Sequence, residues 1–520
     1  MISLLSVNAR RHRPTRLRHP EPAPYSVGVT LSGVRLAAMA AVTLALSGCI
    51  VLGPDYNEKS ATVVPNQPDA WVQPLPHGGA TTVMADWWSK FDDPLLVELI
   101  TAAQSQSNTM AQATLRIAQT RALLVTANAA AMPVLNASGG VSRGTLVVGG
   151  PLILNTSSQA QLQAGWELDL FGGLARGSEA ARARLQSQVA GWHDARISVA
   201  ADTANLYTNF RGCEQLLQIA KSDAESRAQT SALTGQLVQA GFQSPANYAL
   251  ARASAAEAEG RLVTQRAECD QLVNAMVALT GMDSGDLRQR LAAQAATLPA
   301  ARQLAVQQVP AQMLAQRPDI AAAERDLAAA SADIGVREAD RFPRLSISGN
   351  IGPLAFNTSD GNLNATSWII GPTLTMPIFD GGRRAANVET ARIAYQTSEI
   401  SYRNQVRRAV REVEDALVKL DSMRTRVVDA QTASDGYREA LTAAQARYKS
   451  GFASLLDLEE TRRLSFNADN ILATTRREHV NAWIALYRAV GGGWTPADTT
   501  LPAAFAAQAS SQTSTGPITQ

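Results

Sequence analysis

GPTLTMPIFDGGRRA, residues 371–385, is the stretch that decides the fold. Apolar residues alternate with others up to Ile378, which predicts a β-strand with one apolar face. Asp380-Gly381-Gly382 interrupts this pattern, and helix-forming residues follow from Arg383 for dozens of positions. QAQLQAGWELDLFGGLARG, residues 159–177, has the same order, with a strand that ends at Phe171 before Gly172-Gly173. The apolar positions of the later strand are Trp368, Ile370, Leu374, Met376 and Ile378.

These two stretches belong to a longer internal repeat. MPVLNASGG around Pro133 matches FPRLSISGN around Pro343, and Gly241-Phe242 matches Gly451-Phe452, both 210 residues later. Gly172 matches Gly381 at 209, a slip of one residue. Because the matches keep both order and spacing, the chain is a duplication of one unit of about 210 residues.

The N-terminus has the composition of an export signal. Six arginines precede or flank the apolar run 36–46, which is too short for a membrane-spanning helix. Leu46-Ser47-Gly48-Cys49 resembles a bacterial lipoprotein signal, so we expect residues 1–48 to be removed and Cys49 to carry lipid. The alternative is an ordinary secretory signal with a chance cysteine. Residues 49–85 are rich in Pro, Asn and Gly and are predicted to form an extended arm.

Charge argues against a nucleic-acid partner. Residues 1–48 hold six Arg and one Glu, so their removal changes the formal net charge from +2 to −3. The apparent basicity is therefore mostly signal, and nucleic acid is not an expected partner.

Each repeat is predicted to contain a helix, two strands and a long helical hairpin. The first repeat spans 86–281, with helices at 95–131, 174–240 and 245–279, and the second spans 311–493. A linker at 282–310 joins them, and residues 494–520 have the composition of a disordered tail. The second repeat's helices are predicted at 319–340, from 383 to about 450, and from 454 to 490.

The strands and helices together predict a membrane channel. Four strands of ten to fourteen residues, each with one polar and one apolar face, suit a transmembrane β-barrel. Four strands cannot close a barrel, and open edges are not tolerated in lipid, so several chains must contribute. A 67-residue helix is roughly 100 Å long and needs neighbours along its whole length. An antiparallel sheet packed on helices, and a rigid coiled-coil spacer, are the simpler alternatives.

Several tracts carry a family resemblance. VLGPDY at 51–56, DWWSKFDDPLL at 86–96 and the segment 317–349, which begins RPDIAAAERDL, resemble the TolC-like outer-membrane efflux protein family, in its lipoprotein, NodT-like branch. The resemblance implies a mainly α fold in which three chains complete a twelve-stranded β-barrel, continued by a long α-helical barrel in the periplasm. It implies a passive duct without cofactors, a homotrimer in the outer membrane lipid that works with a periplasmic adaptor protein and an inner-membrane transporter.

The same resemblance places function at the hairpin tips. Gly241 and Phe242 of the first tip, and Gly451 and Phe452 of the second, are expected to meet the adaptor. Leu456 and Glu460 occupy positions that usually hold a constricting Leu and an Asp, and Asp457 is the other gate candidate. The alternative is that the acids at 457, 459 and 460 only stabilise the helix N-terminus. Asn247 stands at the first tip where Asp457 stands at the second, which predicts a gate moved mainly by one hairpin.

Cys213 and Cys269 lie in the two helices joined at the first tip. Folding that hairpin about residue 243 brings residue 213 opposite 273, one helical turn from Cys269. A disulfide is compatible with the oxidising periplasm, and two buried free thiols are the alternative.

The sequence contains few features that are typical of an enzyme. The histidines at 77, 193 and 479 are far apart, and no phosphate-binding loop or zinc-protease motif occurs. A second class of function is a structural lipoprotein, a coiled-coil tether without a pore. Within the channel class, small toxic compounds or drugs are the expected cargo, and export of a protein or a polysaccharide is the alternative.

Overall fold

The computed structural model describes residues 50–57, 71–72, 87–147, 152–293, 297–299, 316–358 and 361–496. The predicted signal peptide, Cys49, most of the predicted arm and the tail from residue 497 onward lie outside the described residues. The predicted start of the disordered tail at residue 494 was wrong, because Trp494 is buried against the main hydrophobic core. All features below belong to the unit that begins at Val51.

The first repeat runs from a short 3-10 helix at Trp87–Phe91 to the end of a long helical hairpin. Two helices precede its strands and two follow them. In chain order the elements are α1 Pro94–Gln106, α2 Asn108–Ala129, β1 Val134–Val147, β2 Leu152–Leu168, α3 Gly173–Gln239 and α4 Pro245–Thr280.

The second repeat has the same order of elements. A nine-residue helix, α5 Ser284–Ala292, lies inside the predicted inter-repeat linker and starts at an Asp283 cap. The remaining elements are α6 Pro318–Ala339, β3 Arg344–Thr358, β4 Gly361–Thr375, α7 Arg383–Lys449 and α8 Leu455–Ala489.

The helix bounds confirm the duplication and correct its register. Helices α3 and α7 each contain 67 residues, and both their starts and their ends are 210 residues apart. The N-cap residue, which has a left-handed backbone conformation, is Gly172 for α3 and Gly382 for α7. Gly172 therefore corresponds to Gly382 and not to Gly381, and the predicted slip of one residue was wrong.

Three predicted elements extended further than the structure shows. The expected helix 95–131 is divided at Ser107, whose backbone is extended and whose hydroxyl caps the next helix by accepting from the Met110 N–H. Strand β2 ends at Leu168, before the predicted Phe171, and β4 ends at Thr375. The ladder ends where Thr375 pairs with Arg344, the first residue of β3, so Met376 and Ile378 lie beyond the strand.

The four strands form one antiparallel sheet in the order β1-β2-β3-β4. Near the middle of β2 and β3 the register keeps the two faces distinct, because apolar Leu162 pairs with Ile351 and polar Gln163 pairs with Asn350, whereas Gln159 further along pairs with Leu354. On the polar face, the hydroxyls of Ser142 and Ser157 are 2.7 Å apart. In the described strands, the outer edges of β1 and β4 have no partner strand.

The main core lies midway along the long helices, where residues near 200 of α3, 417 of α7 and 485 of α8 meet. Trp87 is buried there and stacks on Tyr487 at a ring distance of 4.8 Å. The buried Tyr207 hydroxyl donates to Asp93 at 2.6 Å, which ties the start of α1 to α3. These contacts hold the base from which both hairpins extend.

Arg317 joins three helices beside this core. Its guanidinium donates to both carboxylate oxygens of Asp319, at 3.0 and 2.6 Å, and to Glu412 of α7 at 2.8 Å. It also donates to the carbonyl of Ala489 at the end of α8, at 2.7 Å. Burial by itself would raise the pKa of Asp319, but the hydrogen bonds and the charge of Arg317 outweigh it and lower that pKa.

Among the helices that the structure describes, none is both long and apolar enough to cross a membrane.

Candidate functional site at the hairpin tips

Both hairpins turn through the same local structure. Gly241 and Gly451 have φ of 80° and 78°, a conformation that glycine adopts without steric cost. The next N–H in each turn reaches back to the preceding helix, from Phe242 to the Leu237 carbonyl and from Phe452 to the Arg447 carbonyl, both at 2.8 Å. Phe242 and Phe452 are consequently 78% and 79% exposed, and each tip presents one aromatic ring to solvent.

The two tips differ in how the return helix is capped. Ser244 and Ser454 are both N-caps, and each hydroxyl accepts from the N–H three residues later. At the second tip, Asp457 also accepts from the Ser454 N–H at 3.2 Å and from its hydroxyl at 2.8 Å. Hydrogen bonds from the Ser454 side chain and backbone lower the pKa of Asp457. Asn247 of the first tip instead donates to Gln243 at 2.7 Å.

Leu456 and Glu460 lie together on the exposed face of the first turns of α8. Leu456 is 69% exposed, and Glu460 pairs with Arg463 at 2.6 Å. The hydrogen bond from Arg463 lowers the pKa of Glu460, so this carboxylate is charged at neutral pH. The corresponding residues of the first hairpin are Ala246 and Leu250. The structure thus brings two predicted gate residues onto one face and gives Asp457 a capping role beside them.

A buried charged cluster, not predicted from the sequence, fastens the second hairpin to the first. Glu459 of α8 accepts from Arg227 of α3 at 2.5 Å and from Ser254 of α4 at 2.8 Å. Arg227 also donates to both oxygens of Asp223, at 2.9 and 3.0 Å. The side chains of Arg227 and Glu459 are only 9% and 13% exposed. We call the group Asp223, Arg227, Ser254, Glu459 and Arg462 the hairpin clamp.

Further contacts extend the clamp toward the tip. Arg462 pairs with Glu459 and donates to the Thr230 hydroxyl at 2.9 Å, and burial lowers the pKa of Arg462. The hydroxyls of Thr234 and Tyr448 are 3.0 Å apart. The Thr234 hydrogen points to the Thr230 carbonyl at 2.8 Å, so Tyr448 is the donor between them. The four helices α3, α4, α7 and α8 are therefore held together within the last third of both hairpins.

The pair of Arg227 and Glu459 has no charged counterpart at the equivalent positions of the other repeat. The position equivalent to Glu459 in the first hairpin is Ala249, and the position equivalent to Arg227 in the second is Tyr437. A comparison of the two repeats would therefore have marked Arg227 and Glu459 as charged residues without charged counterparts. Sequence reasoning missed them because residues 232 positions apart carry no sign that they touch.

Cys213 and Cys269 are brought together in the hairpin of α3 and α4. Their sulfur atoms are 2.02 Å apart and their Cα atoms 5.6 Å apart. Both side chains are buried in the main core.

We expect intact mass spectrometry of the mature protein to show a mass two hydrogens lower than that of the reduced chain. The bond would close a loop of 56 residues, for which the chain-entropy model gives a stabilisation of about 4 kcal/mol. Cys213→Ser should therefore lower the thermal stability, and Cys213→Ser/Cys269→Ser should lower it no further. Equal masses with and without reductant would show two free thiols.

In the described ranges, no three His, Cys, Asp or Glu side chains are grouped to hold a metal ion.

Comparison with known proteins decides the class of the molecule. The family model for outer membrane efflux proteins matches residues 99–282 and 309–492, one match for each repeat. The chain belongs to the outer membrane efflux protein family. Members of this family are channel proteins. This chain is an outer-membrane efflux channel, and its helical part lies in the periplasm.

Individual relatives span almost the whole chain. Nodulation protein T of Rhizobium leguminosarum bv. trifolii is 31% identical over 464 residues, covering 87% of this chain and 96% of that protein. Outer membrane protein OprJ of Pseudomonas aeruginosa is 30% identical over 461 residues, covering 87% and 95%. The solved outer-membrane channel OprN has 28% identity and a TM-score of 0.76, covering 86% of this chain and 100% of that one. The predicted family and fold class are confirmed.

Proposed function

We propose that three copies of this chain form the exit duct of a tripartite efflux pump, which conducts small toxic compounds passively from the periplasm to the exterior. The four-stranded sheet is the observation that supports this most directly. Its described strands have one mainly apolar face and two edges without a partner strand, and lipid tolerates such a sheet only inside a closed barrel. Members of the family form trimers that work with a periplasmic adaptor and an inner-membrane transporter.

The periplasmic gate is assigned to the second hairpin. Leu456 and Glu460 project from its exposed face and would form an apolar and an acidic ring around the axis of a trimer. Asp457 fixes the start of α8 that carries both side chains. The hairpin clamp keeps this hairpin packed against the first, so release of the clamp would move the rings apart.

In this proposal the two hairpin tips contact the adaptor, and Cys49 carries the lipid that anchors the chain in the outer membrane. Phe242 and Phe452 are the large apolar side chains at the two turns, each more than three-quarters exposed. Aromatic side chains that protrude singly from a surface fit pockets on a partner protein.

The first test is single-channel conductance of the purified protein in planar bilayers. Leu456→Ala/Asp457→Asn/Glu460→Leu gives the second tip the residues of the first, and we expect larger conductance steps than those of the wild type. Glu225→Ala, which changes an exposed acid of α3 away from the tips, is the matched control and should conduct as the wild type does.

If the conductance steps of the triple variant equal those of the wild type, the gate lies elsewhere in the chain, and the proposed duct is unaffected. A folded oligomer that conducts in neither form would contradict the duct and favour a tether without a pore.

A further inference from the structure

A cleft lies between α4 and α8, next to the hairpin clamp and further from the tips. Both helices pack on α3, and Leu216 and Ala220 of α3 lie at the floor of the cleft. Arg261 of α4 bridges the cleft, because its guanidinium carbon lies 5.2 Å from the ring centroid of Phe466 on α8. The cleft has a volume of about 680 Å³, which is in the range of cavities that hold drug-sized organic molecules.

Gly260 leaves part of the α4 wall of this cleft without a side chain. Glycine in the interior of a helix is destabilising relative to alanine. A Cβ atom at Gly260 would meet no neighbouring atom within 4 Å, so packing inside the chain does not require the glycine. Gly212 of α3 differs, because Arg477 of α8 packs where its side chain would be. The wall at Gly260 therefore has room for an occupant.

The side-chain amides that line the cleft present acceptors to it. The Gln265 amide nitrogen donates to Sγ of Cys213 at 3.1 Å, and the Asn470 amide nitrogen donates to the Phe466 carbonyl at 2.8 Å. Both amide oxygens are without a hydrogen-bond partner in the part of the chain that the structure describes. A molecule in the cleft would therefore meet two free acceptors, and it would need donors to use them.

The charge available at the cleft is negative. The terminal nitrogens of Arg261 are occupied, since they donate to Asp223 at 3.0 Å and to Glu257 at 2.8 Å, and its Nε atom is covered from solvent. Glu257 is 73% exposed and accepts from Arg261 through Oε1, which leaves Oε2 for a second cation. Free acceptors beside a carboxylate and an aromatic ring select a donor that carries positive charge.

The cleft is joined to the hairpin clamp through Asp223. This carboxylate accepts from Arg261 of the cleft and from Arg227 of the clamp, and Arg227 also donates to Glu459 of α8. Because α3, α4 and α8 all contribute to the lining, the cleft exists only while the second hairpin is packed on the first. A molecule that binds there stabilises the packed arrangement by mass action.

We propose that this cleft binds a planar aromatic cation with amino groups, and that the bound molecule holds the channel closed. Its rings lie against Leu216, Ala220 and Phe466, and its amino groups donate to Glu257 and to the amide oxygens. Closure by the ligand rests on the proposed duct and gate, whereas binding does not.

Binding is tested with ethidium, a planar cation with two amino groups, by fluorescence anisotropy on the purified mature protein. We expect saturable binding to the wild type. Gly260→Leu fills the cleft with a residue that favours the helix, and should abolish this binding. Fluorescein, a planar anion, should show no binding that Gly260→Leu removes. Equal saturable binding of ethidium to the wild type and to Gly260→Leu would overturn the site.

The charge preference has its own matched pair of variants. Glu257→Gln keeps the shape of the cleft and should weaken ethidium binding by about two- to fivefold, the usual contribution of an exposed ion pair. Glu259→Gln changes an exposed acid of the same helix that does not line the cleft, and should leave binding unchanged. Equal affinities in Glu257→Gln and the wild type would contradict the assignment to a cation.

Conductance in planar bilayers tests the link to closure. At ten times its dissociation constant, ethidium should lower the open probability of the wild type about tenfold, and it should have no effect on Gly260→Leu. An equal decrease in both would be a block of the pore and would overturn the link to closure, as would an unchanged wild type that binds ethidium. A protein that binds ethidium but never conducts would overturn the duct, and closure with it, but not the binding site.

Discussion

Glu459→Ala is expected to open the channel. The substitution leaves Arg227 and Arg462 buried without their shared acid, since Glu459 accepts from both of them. Removing one partner of a buried ion pair costs about 3–5 kcal/mol, and here the cost falls on the packed arrangement of the two hairpins. That corresponds to a shift of roughly two to four powers of ten toward the separated arrangement. The open probability in planar bilayers should rise accordingly.

Two comparisons make this prediction specific to the hairpin clamp. Arg227→Ala should act in the same direction, and Arg227→Ala/Glu459→Ala should open the channel less than the sum of the single effects, because both act on one contact. Glu225→Ala lies two residues from Arg227 but changes an exposed pair with Lys221, and should leave the open probability unchanged. If Glu459→Ala folds and conducts as the wild type does, the clamp has no part in gating.

Arg317→Ala is expected to be the most destabilising of these substitutions for the body of the protein. The buried guanidinium joins α6, α7 and the end of α8, and its loss leaves the Asp319 carboxylate without a cation in a mostly buried site. We expect the free energy of unfolding to fall by about 3–5 kcal/mol, measured by far-UV circular dichroism in guanidinium chloride. Arg317→Lys should recover little, because an ammonium group cannot reproduce the paired donors.

The effect of pH on this site has a defined sign. The pKa of Asp319 is lower in the folded protein than the ordinary value of 3.8, so the site stabilises the fold above that value and loses the contribution as the pH falls below it. In Arg317→Ala, burial is left to act on Asp319 and raises its pKa, so acid unfolding should begin at a higher pH than in the wild type.

The control is Arg337→Ala, which removes an exposed partner of Asp340 on the same helix and should cost no more than about 1 kcal/mol. If Arg317→Ala and Arg337→Ala lower the free energy of unfolding equally, burial of the ion pairs of Arg317 contributes nothing to stability.

Local patterns in the sequence were sufficient to predict most of the fold. The 67-residue span of α3 was predicted one residue out of register, and the start of α4 at residue 245 was predicted correctly, because both depend on neighbours within a turn. The errors occurred where the local signal was weak. Ser107 divides a predicted helix that contains no Gly or Pro, and β4 ends at Thr375 although the alternation continues beyond it.

The candidate site was predicted less completely for a physical reason. The tips and the residues at 456, 457 and 460 follow from turn chemistry and from a family resemblance, and both can be read along the chain. The hairpin clamp cannot be, since Arg227 and Glu459 become partners only when two hairpins pack side by side.

The sequence by itself determined the duplication, the long hairpins, the two-faced strands and the class of channel, since periodicity and spacing are properties of the chain. Only the tertiary structure decided that Glu459 accepts hydrogen bonds from Arg227 and Ser254, and that Arg317 joins three helices. Contacts between distant residues depend on the register of packed helices. A shift of one residue rotates a helical face by about 100°, and no local pattern fixes that rotation.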